Sequence, residues 1–191
     1  MASSDPRTDP LTFFEENRYF CDEDASIGKL VEELEKQGIA ESHRGLEIAK
    51  PKLLANSNVR PIIEPYLSRP DIRLCTSLGE DPNHRFVLSL EPGQKEHIIV
   101  HLWSPGSEAE LYRSSHLDPP GLPPLKAAQA SNGLLELAGA VLKKRMYSPV
   151  TVKMERGGIA VMDRRFCFRI VKGFTVTYDL HMNATELAVA R

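Results

Sequence analysis

The end of the sequence carries an acid and a base at a spacing that could do chemistry. Asp179 and His181 are two residues apart in a run of β-branched and aromatic residues, and side chains two apart on a strand share one face. A carboxylate beside an imidazole can move a proton to and from a ligand when both lie in a cleft that perturbs their pKa values. Tyr178, on the other side of this predicted strand, adds a phenol.

A second apolar run, at about residues 96–103, carries two histidines and the single tryptophan. His97, His101 and Trp103 fall on one face of this predicted strand. Four residues separate the two histidines, about 13 Å along a strand, which is too far for both to bind one metal ion. His101 beside Trp103 fits either a pocket wall or a core histidine with satisfied hydrogen bonds, and neither alternative needs a metal.

Arginines accompany the predicted strands. Arg164, Arg165, Arg169 and Arg113 could bind a substrate carboxylate, because a guanidinium donates paired hydrogen bonds to an anion. Strand alternation places Arg169 on the face opposite Phe168, and a solvated face is the favoured interpretation for these arginines. No P-loop, Gly-x-Gly-x-x-Gly, Gly-x-Ser-x-Gly or His-Glu-x-x-His motif is present, which disfavours nucleotide-binding, serine hydrolase and zincin functions.

Composition limits the class of protein. The chain has 191 residues, of which 41% are hydrophobic and 26% are charged, and its formal net charge is -2. These values suit one soluble domain and give no electrostatic reason to bind nucleic acid or an anionic membrane. Three cysteines without a CxxC pair indicate neither a disulfide framework nor a structural zinc site. We expect a cytoplasmic protein with a small-molecule ligand, and a homodimer is compatible with the sequence.

The chain divides into a helical part and a strand-rich part. We expect a disordered tail over 1–10 and one domain over 11–191, made of a helical layer over 11–70 and a β-barrel over 71–181. Helices are predicted after a cap at Asp24 or Ser26 and, capped by Asn132, at about 131–145. The predicted fold is α+β, a double-stranded β-helix (jelly-roll, cupin-like) barrel with a helical N-terminal layer. Strands are predicted at about 72–77, 84–90, 96–103, 109–113, 149–154, 158–162, 166–171 and 173–180.

Two segments resemble the phytanoyl-CoA dioxygenase-like branch of the iron and 2-oxoglutarate oxygenases. Tyr-Arg-Ser-Ser-His-Leu, at 112–117, is similar to the Pro-Gly-Ser-His segment of that family. Gly-Gly-Ile-Ala-Val-Met-Asp-Arg-Arg-Phe, at 157–166, is similar to the strand and turn before its distal histidine. The likeness spans about 73–180 and is closest to small fungal members without a clear metal triad. It implies a cupin-type double-stranded β-helix.

The resemblance also implies a set of metal ligands. Members of the oxygenase type bind Fe(II) with a His-x-Asp or His-x-Glu pair and one distal histidine, which leaves open positions for 2-oxoglutarate and oxygen. Carried over by spacing, the ligands would be His116, Asp118 and His181. Arg191 would then match the arginine that binds the far carboxylate of 2-oxoglutarate.

The order of the predicted strands conflicts with that ligand set. His116 follows four of the eight strands, where the family keeps a different histidine, and Cys167 or Phe168 stands where the distal ligand is expected. The favoured hypothesis is therefore a metal-independent enzyme, without a cofactor, that tailors a biosynthetic small molecule by isomerisation, cyclisation or dehydration. The alternatives are an Fe(II) and 2-oxoglutarate-dependent dioxygenase, using the three ligands named above, and a non-enzymatic scaffold.

Candidate roles follow from these patterns. We assign catalysis to acid–base side chains, and substrate binding to aromatic and cationic side chains, near the predicted barrel mouth. The catalytic candidates are His101, His116, Asp163, Tyr178 and His181, and the substrate-binding candidates are Trp103, Tyr112, Arg113 and Arg169.

Overall fold

The computed structural model describes residues 9–66, 72–91 and 97–181. Residues 1–8 of the tail expected over 1–10, and the role expected of Arg191, lie outside these ranges, while Asp9 and Pro10 already cap and begin a helix. The described chain combines helices with antiparallel strands, so the α+β class is confirmed. None of its described helices is long and apolar enough to cross a membrane.

A layer of short helices precedes most of the strands. The predicted helix after Asp24 is confirmed: the Asp24 carboxylate accepts hydrogen bonds from Ser26 N and Ile27 N, and the apolar side of the helix is buried. Pro51 lies inside the next helix without ending it. The helices are α1 Pro10–Asn17, α2 Ala25–Lys36, α3 His43–Ala55, α4 Arg60–Ile63 and α5 Gly139–Lys144, with a 3-10 turn at Glu64–Tyr66.

The strands of the described residues form two antiparallel sheets. The first sheet has the order β1-β9-β4-β11-β2, and the second has the order β6-β7-β3-β10-β5-β8. The strands are β1 Tyr19–Glu23, β2 Ile72–Leu78, β3 Asp81–Val87, β4 His97–Trp103, β5 Ser107–Tyr112, β6 Ala128–Gln129, β7 Leu135–Glu136, β8 Pro149–Met154, β9 Gly158–Asp163, β10 Cys167–Lys172 and β11 Thr175–His181.

The chain crosses repeatedly from one sheet to the other. β2, β4, β9 and β11 lie in the first sheet, whereas β3, β5, β8 and β10 lie in the second. These are the eight strands predicted from the sequence, and their observed ends differ from the predicted ends by three residues or fewer. Each strand hydrogen-bonds only within its own sheet. The described strands therefore do not close into one barrel, which corrects the barrel expected over 71–181.

Three short strands and one helix differ from the sequence-based prediction. β1 lies inside the expected helical layer and pairs with β9 at the edge of the first sheet. The helix expected at 131–145 is wrong over its first half, because Asn132 Oδ1 accepts a hydrogen bond from Leu134 N and Gly133 adopts a φ of 82°, which together form a turn. β7 follows and pairs with β3, and only α5 remains helical.

Apolar side chains fill three layers. The helices cover the first sheet through side chains such as Ile27 and Val100. A second cluster, which includes Trp103 and Phe168, lies between the sheets, and a third covers the outer face of the second sheet around Tyr112. Successive residues of β4 alternate between the first and second layers, as the sequence predicts.

Two glycines allow α2 to approach the turn between β8 and β9. A methyl group at Gly28 would lie 2.2 Å from the Arg156 carbonyl oxygen, and one at Gly157 would lie 2.3 Å from Gly28 Cα. Gly157 also has a φ of 80°, which residues with a Cβ rarely adopt. This contact fixes the helical layer on the first sheet.

Gly28→Ala should therefore lower the free energy of unfolding by about 1 to 3 kcal/mol, because the added methyl overlaps backbone atoms that cannot rotate away. Gly79→Ala is the matched control, since its methyl would have nothing within 4 Å. Urea unfolding followed by circular dichroism measures both variants. Equal stability of the two would contradict this packing of α2.

Candidate metal centre

Three polar side chains meet where β4 begins and β11 ends. His97 is the first residue of β4, and the register sets it opposite His181, the last residue of β11. Asp179 lies two residues earlier on β11 and shares the face of His181. The same face carries Thr177, which contacts His101 between the sheets. The cluster of His97, Asp179 and His181 therefore lies at one mouth of the space between the two sheets.

The donor atoms of this cluster are close together. His181 Nε2 is 3.1 Å from Asp179 Oδ2, and His97 Nδ1 is 3.8 Å from Asp179 Oδ1. The two imidazoles approach to 3.3 Å between His181 Nδ1 and His97 Nε2. One donor atom can be chosen from each residue so that all three lie within 4.8 Å of one another. Two imidazoles and one carboxylate form a donor set for a divalent transition metal.

The cluster is partly buried: the side chains of His97, Asp179 and His181 are 20%, 12% and 24% exposed. Asp179 as a whole residue is 8% exposed, and its Oδ1, like His181 Nε2, makes no hydrogen bond within the described residues. Arg164, in the turn between β9 and β10, brings Nη2 to 3.8 Å from Asp179 Oδ2. A buried carboxylate oxygen without a donor is costly unless a cation satisfies it. The cluster therefore offers negative charge and unused donor atoms at a protected position.

His101 lies deeper between the sheets and is separate from the cluster. Its Nδ1 is 2.9 Å from Thr177 Oγ1, and its ring centroid is 4.8 Å from that of Phe168. Burial lowers the pKa of His101 to about 3, so the imidazole is neutral near pH 7. The geometry favours a core histidine over a pocket wall, but its hydrogen bonds are only half satisfied, because Nε2 makes none within the described residues.

The Ser-Ser-His segment is held against the start of β10. Ser115 Oγ accepts a hydrogen bond from Cys167 N at 2.7 Å. His116 stacks on Phe166 with ring centroids 5.6 Å apart, and burial lowers the pKa of His116. Ser115 and His116 therefore lie against the residues next to and at the position where the resemblance expects the distal ligand.

Asp118 pairs with an arginine outside the cluster. Its Oδ2 accepts a hydrogen bond from Arg165 Nη2 at 2.7 Å. Within the described residues, the group whose donor atoms converge contains His181 but neither His116 nor Asp118. The ligand set carried over from the resemblance is therefore not assembled.

Two further catalytic candidates, Asp163 and Tyr178, have structural roles outside the cluster. Asp163 Oδ2 is 3.1 Å from Arg18 Nη2, and its Oδ1 accepts a hydrogen bond from Arg165 N, which braces the turn between β9 and β10. Tyr178 packs under the helices, on the opposite side of β11 from His181, and burial raises its pKa to about 12. Of the five catalytic candidates, the cluster contains His181 alone.

The four predicted substrate-binding residues do not share one pocket in the described structure. Trp103 is buried between the sheets beside a gap that has no room for a water molecule. Tyr112 donates a hydrogen bond to Glu110, and Arg169 forms an ion pair of 2.6 Å with the same glutamate. Arg113 is exposed.

His97 and Asp179 are polar candidates in the sequence, but sequence spacing does not join them to His181 as ligands. A signal was present, because an Asp-x-His pair ends the last predicted strand and a histidine begins another. Antiparallel pairing of those two strands brings these ends together. Without the pairing, strand alternation alone connects Asp179 to His181 and leaves His97 apart.

Comparisons with known proteins give the fold but no family. No protein-family model and no curated protein matches the chain. Among solved structures, the crystal structure of AviO1 from Streptomyces viridochromogenes Tue57 superimposes with a TM-score of 0.55. The alignment covers 96% of this chain and 98% of that chain, at 13% sequence identity. At that identity, the likeness shows a shared fold and nothing about activity.

The buried His101 predicts a loss of stability in acid. Its pKa is about 3 in the folded protein and near 6.5 in the unfolded chain, so the unfolded state binds a proton first as the pH falls. The stabilisation is complete above about pH 6.5 and is lost as the pH falls from there toward 3.

Between pH 7 and pH 5, the wild type should lose about 2 kcal/mol more free energy of unfolding than His101→Gln, which lacks this titration. Urea unfolding of both proteins at both pH values measures the difference. Equal losses in the two proteins would contradict a buried neutral His101.

Proposed function

We propose that His97, Asp179 and His181 bind one divalent metal ion, and that the protein is a metal-dependent enzyme acting on a small molecule at the mouth between its sheets. The convergence of these three donor side chains carries the proposal. Two histidines and one carboxylate leave further coordination positions open, as in non-haem iron(II) and catalytic zinc sites. The proposal departs from the metal-independent enzyme favoured by the sequence alone.

The distances and the chemistry of the donors suit one ion. Ligands at about 2.0 to 2.2 Å from an ion lie roughly 3.0 to 3.5 Å apart in tetrahedral or octahedral sites. Asp179 lies 3.1 Å from His181 through Oδ2 and 3.8 Å from His97 through Oδ1, and one donor atom from each residue lies within 4.8 Å of the other two, so small side-chain movements would bring the three into that range. Within the described residues, Asp179 Oδ1 and His181 Nε2 make no hydrogen bonds, so each can offer a lone pair.

We infer that the two sheets form a double-stranded β-helix. The alternation of eight strands between two antiparallel sheets supports this inference, because a jelly roll places its strands in two stacked sheets through Greek-key connections. The superposition on AviO1 supports a fold shared with that protein. The proposed metal site then lies at an end of the double sheet, where ligand cavities of such folds commonly open.

The position where the resemblance expects a distal iron ligand holds a cysteine. Cys167 stands at the start of β10, and burial raises the pKa of its thiol to about 12, which disfavours the thiolate that would bind a metal. The proposed metal centre depends instead on different strands, β4 and β11.

Each residue around the proposed ion has a distinct role. His97 and His181 would bind as neutral imidazoles, and Asp179 would balance one positive charge. Arg164, with its Nη2 3.8 Å from Asp179, could hold a carboxylate or phosphate of a substrate beside the ion. The bound ion would supply Lewis-acid or redox chemistry. If the ion is Fe(II), the resemblance implies 2-oxoglutarate as co-substrate, and Arg164 could receive one of its carboxylates.

Metal titration tests the proposed centre. Protein stripped with a chelator and titrated anaerobically with Fe(II), or with Zn(II), should bind one ion per chain. His97→Ala and Asp179→Asn should each weaken binding by about 100-fold or more, since loss of a mere hydrogen-bonding partner of a ligand already costs about 10- to 100-fold. Calorimetry and metal analysis measure affinity and stoichiometry.

His116→Ala and Asp118→Asn are the matched controls and should bind metal like the wild type. Binding that depends on His116 and survives His97→Ala would overturn the proposal in favour of the ligand set implied by the resemblance. A wild-type protein that binds no stoichiometric metal would exclude both sets.

A metal-independent acid–base enzyme is the second candidate, because Asp179 and His181 already contact each other at 3.1 Å. In such an enzyme, Asp179 would orient the imidazole that exchanges a proton with the substrate. This candidate predicts that Fe(II), Mn(II) and Zn(II) leave the Tm of the stripped protein unchanged. The proposed metal centre predicts instead a stabilisation of about 2.7 kcal/mol at 100-fold excess of the ion over its Kd, measured by thermal unfolding.

A further inference from the structure

We propose that a surface groove between the proline-rich loop and α5 binds a small amphipathic carboxylate. The groove, called the basic groove below, offers about 330 Å³ of space and is separate from the His97, Asp179 and His181 cluster. Small-molecule sites commonly have volumes of about 300 to 1,000 Å³. Its apolar walls and cationic side chains together define the ligand, and the proposal does not depend on the metal centre.

The walls of the basic groove are apolar. Leu122, Pro123 and Pro124 come from the loop that follows β5, and Val141 comes from α5. Prolines have no N–H group to donate, so this wall offers few hydrogen bonds to a polar ligand. An aliphatic chain lying here would remove apolar surface from water on both partners.

All the charged side chains that line the basic groove are cationic. Lys126 lies on the loop side, and Lys144 and Arg145 lie at the end of α5. No aspartate or glutamate is among the described lining residues. Cations beside an apolar wall favour a ligand that has one anionic group on an apolar body, because low-dielectric surroundings strengthen the attraction.

Arg145 is only partly neutralised by its neighbours. Its side chain is 5% exposed and donates a hydrogen bond to the Pro123 carbonyl oxygen. The nearest carboxylate is Asp118, whose Oδ1 lies 3.9 Å from Arg145 Nη1, while its Oδ2 bonds Arg165 at 2.7 Å. Nη1 makes no hydrogen bond within the described residues. Among the described residues, one carboxylate therefore pairs with both guanidinium groups, which leaves an excess of positive charge beside the groove.

Binding of decanoate to the full chain tests the proposal, with decyltrimethylammonium as a probe of equal chain length and opposite charge. Decanoate should bind with one site per chain and more weakly as salt is added, whereas the cationic probe should not bind. Lys144→Glu should weaken decanoate binding about fivefold or more, because it replaces an attraction with a repulsion. Calorimetry measures both ligands.

Lys143→Glu is the matched control. Lys143 is exposed on the same helix but does not line the groove, so this variant should bind decanoate like the wild type. Val141→Trp, which fills the groove without a change of charge, should also abolish binding. Thermal unfolding shows that each variant is folded.

Three results would overturn the proposal. The first is absence of decanoate binding at millimolar concentration, and the second is equal binding of the two probes. The third is equal weakening by Lys143→Glu and Lys144→Glu, which would indicate general attraction to a basic surface. Sedimentation of the protein with anionic lipid vesicles is a further check. If Lys143→Glu and Lys144→Glu reduced that sedimentation equally, the result would likewise indicate general attraction to a basic surface.

Discussion

The antiparallel register between β4 and β11 is the constraint on which the rest of the structure depends. Seven residue pairs, from Thr175 opposite Trp103 to His181 opposite His97, lock the two strands side by side in the first sheet. Because successive side chains alternate between faces, a slip of one residue would turn Asp179 toward the helices and an apolar neighbour toward the mouth. The same register thus determines which side chains form the core and which converge at the mouth.

The polar side chains on the inner face of β11 differ in their hydrogen bonding between the core and the mouth. Thr175 Oγ1 donates to the Leu102 carbonyl oxygen at 2.9 Å, and Thr177 contacts His101. These two threonines are closed into the core and use their hydroxyls locally. Asp179 and His181, at the far end of the strand, keep unused polar atoms within the described residues. A ligand site at the end of two packed sheets needs this arrangement. The buried polar side chains are satisfied by hydrogen bonds, and those at the mouth keep polar atoms for a ligand.

The sequence predicted the parts of the fold that depend on local pattern. Eight of the eleven described strands are predicted, all except the short β1, β6 and β7, and the inward direction of Phe168 and the outward direction of Arg169 follow from alternation alone. The helix expected from Asn132 failed because Asn and Gly favour a turn there, and pairing with β3 outweighed the helical spacing of the leucines.

The candidate site could be predicted only in part, since Asp179 and His181 share a strand but His97 joins them through a pairing more than 80 residues away. The wrong ligand set, His116, Asp118 and His181, likewise follows from spacing without knowledge of which strands pair. His116 and His181 have a suitable spacing in the chain, yet Ser115 ties the first to β10 while the second ends β11. Sequence spacing measures separation along the chain, whereas coordination depends on which strand ends become neighbours.

The position of β11 between β4 and the edge strand β2 also has a consequence for how the chain folds. The first sheet cannot join β2 to its other strands until residues 175–181 have been synthesised. Until then β2 has no neighbour in its sheet, and the helical layer has no complete surface to cover. Such long-range pairings are slow to form and leave strand edges open to association with other chains. The first sheet therefore cannot be completed before β11, the strand that also brings Asp179 and His181 to the mouth, has been synthesised.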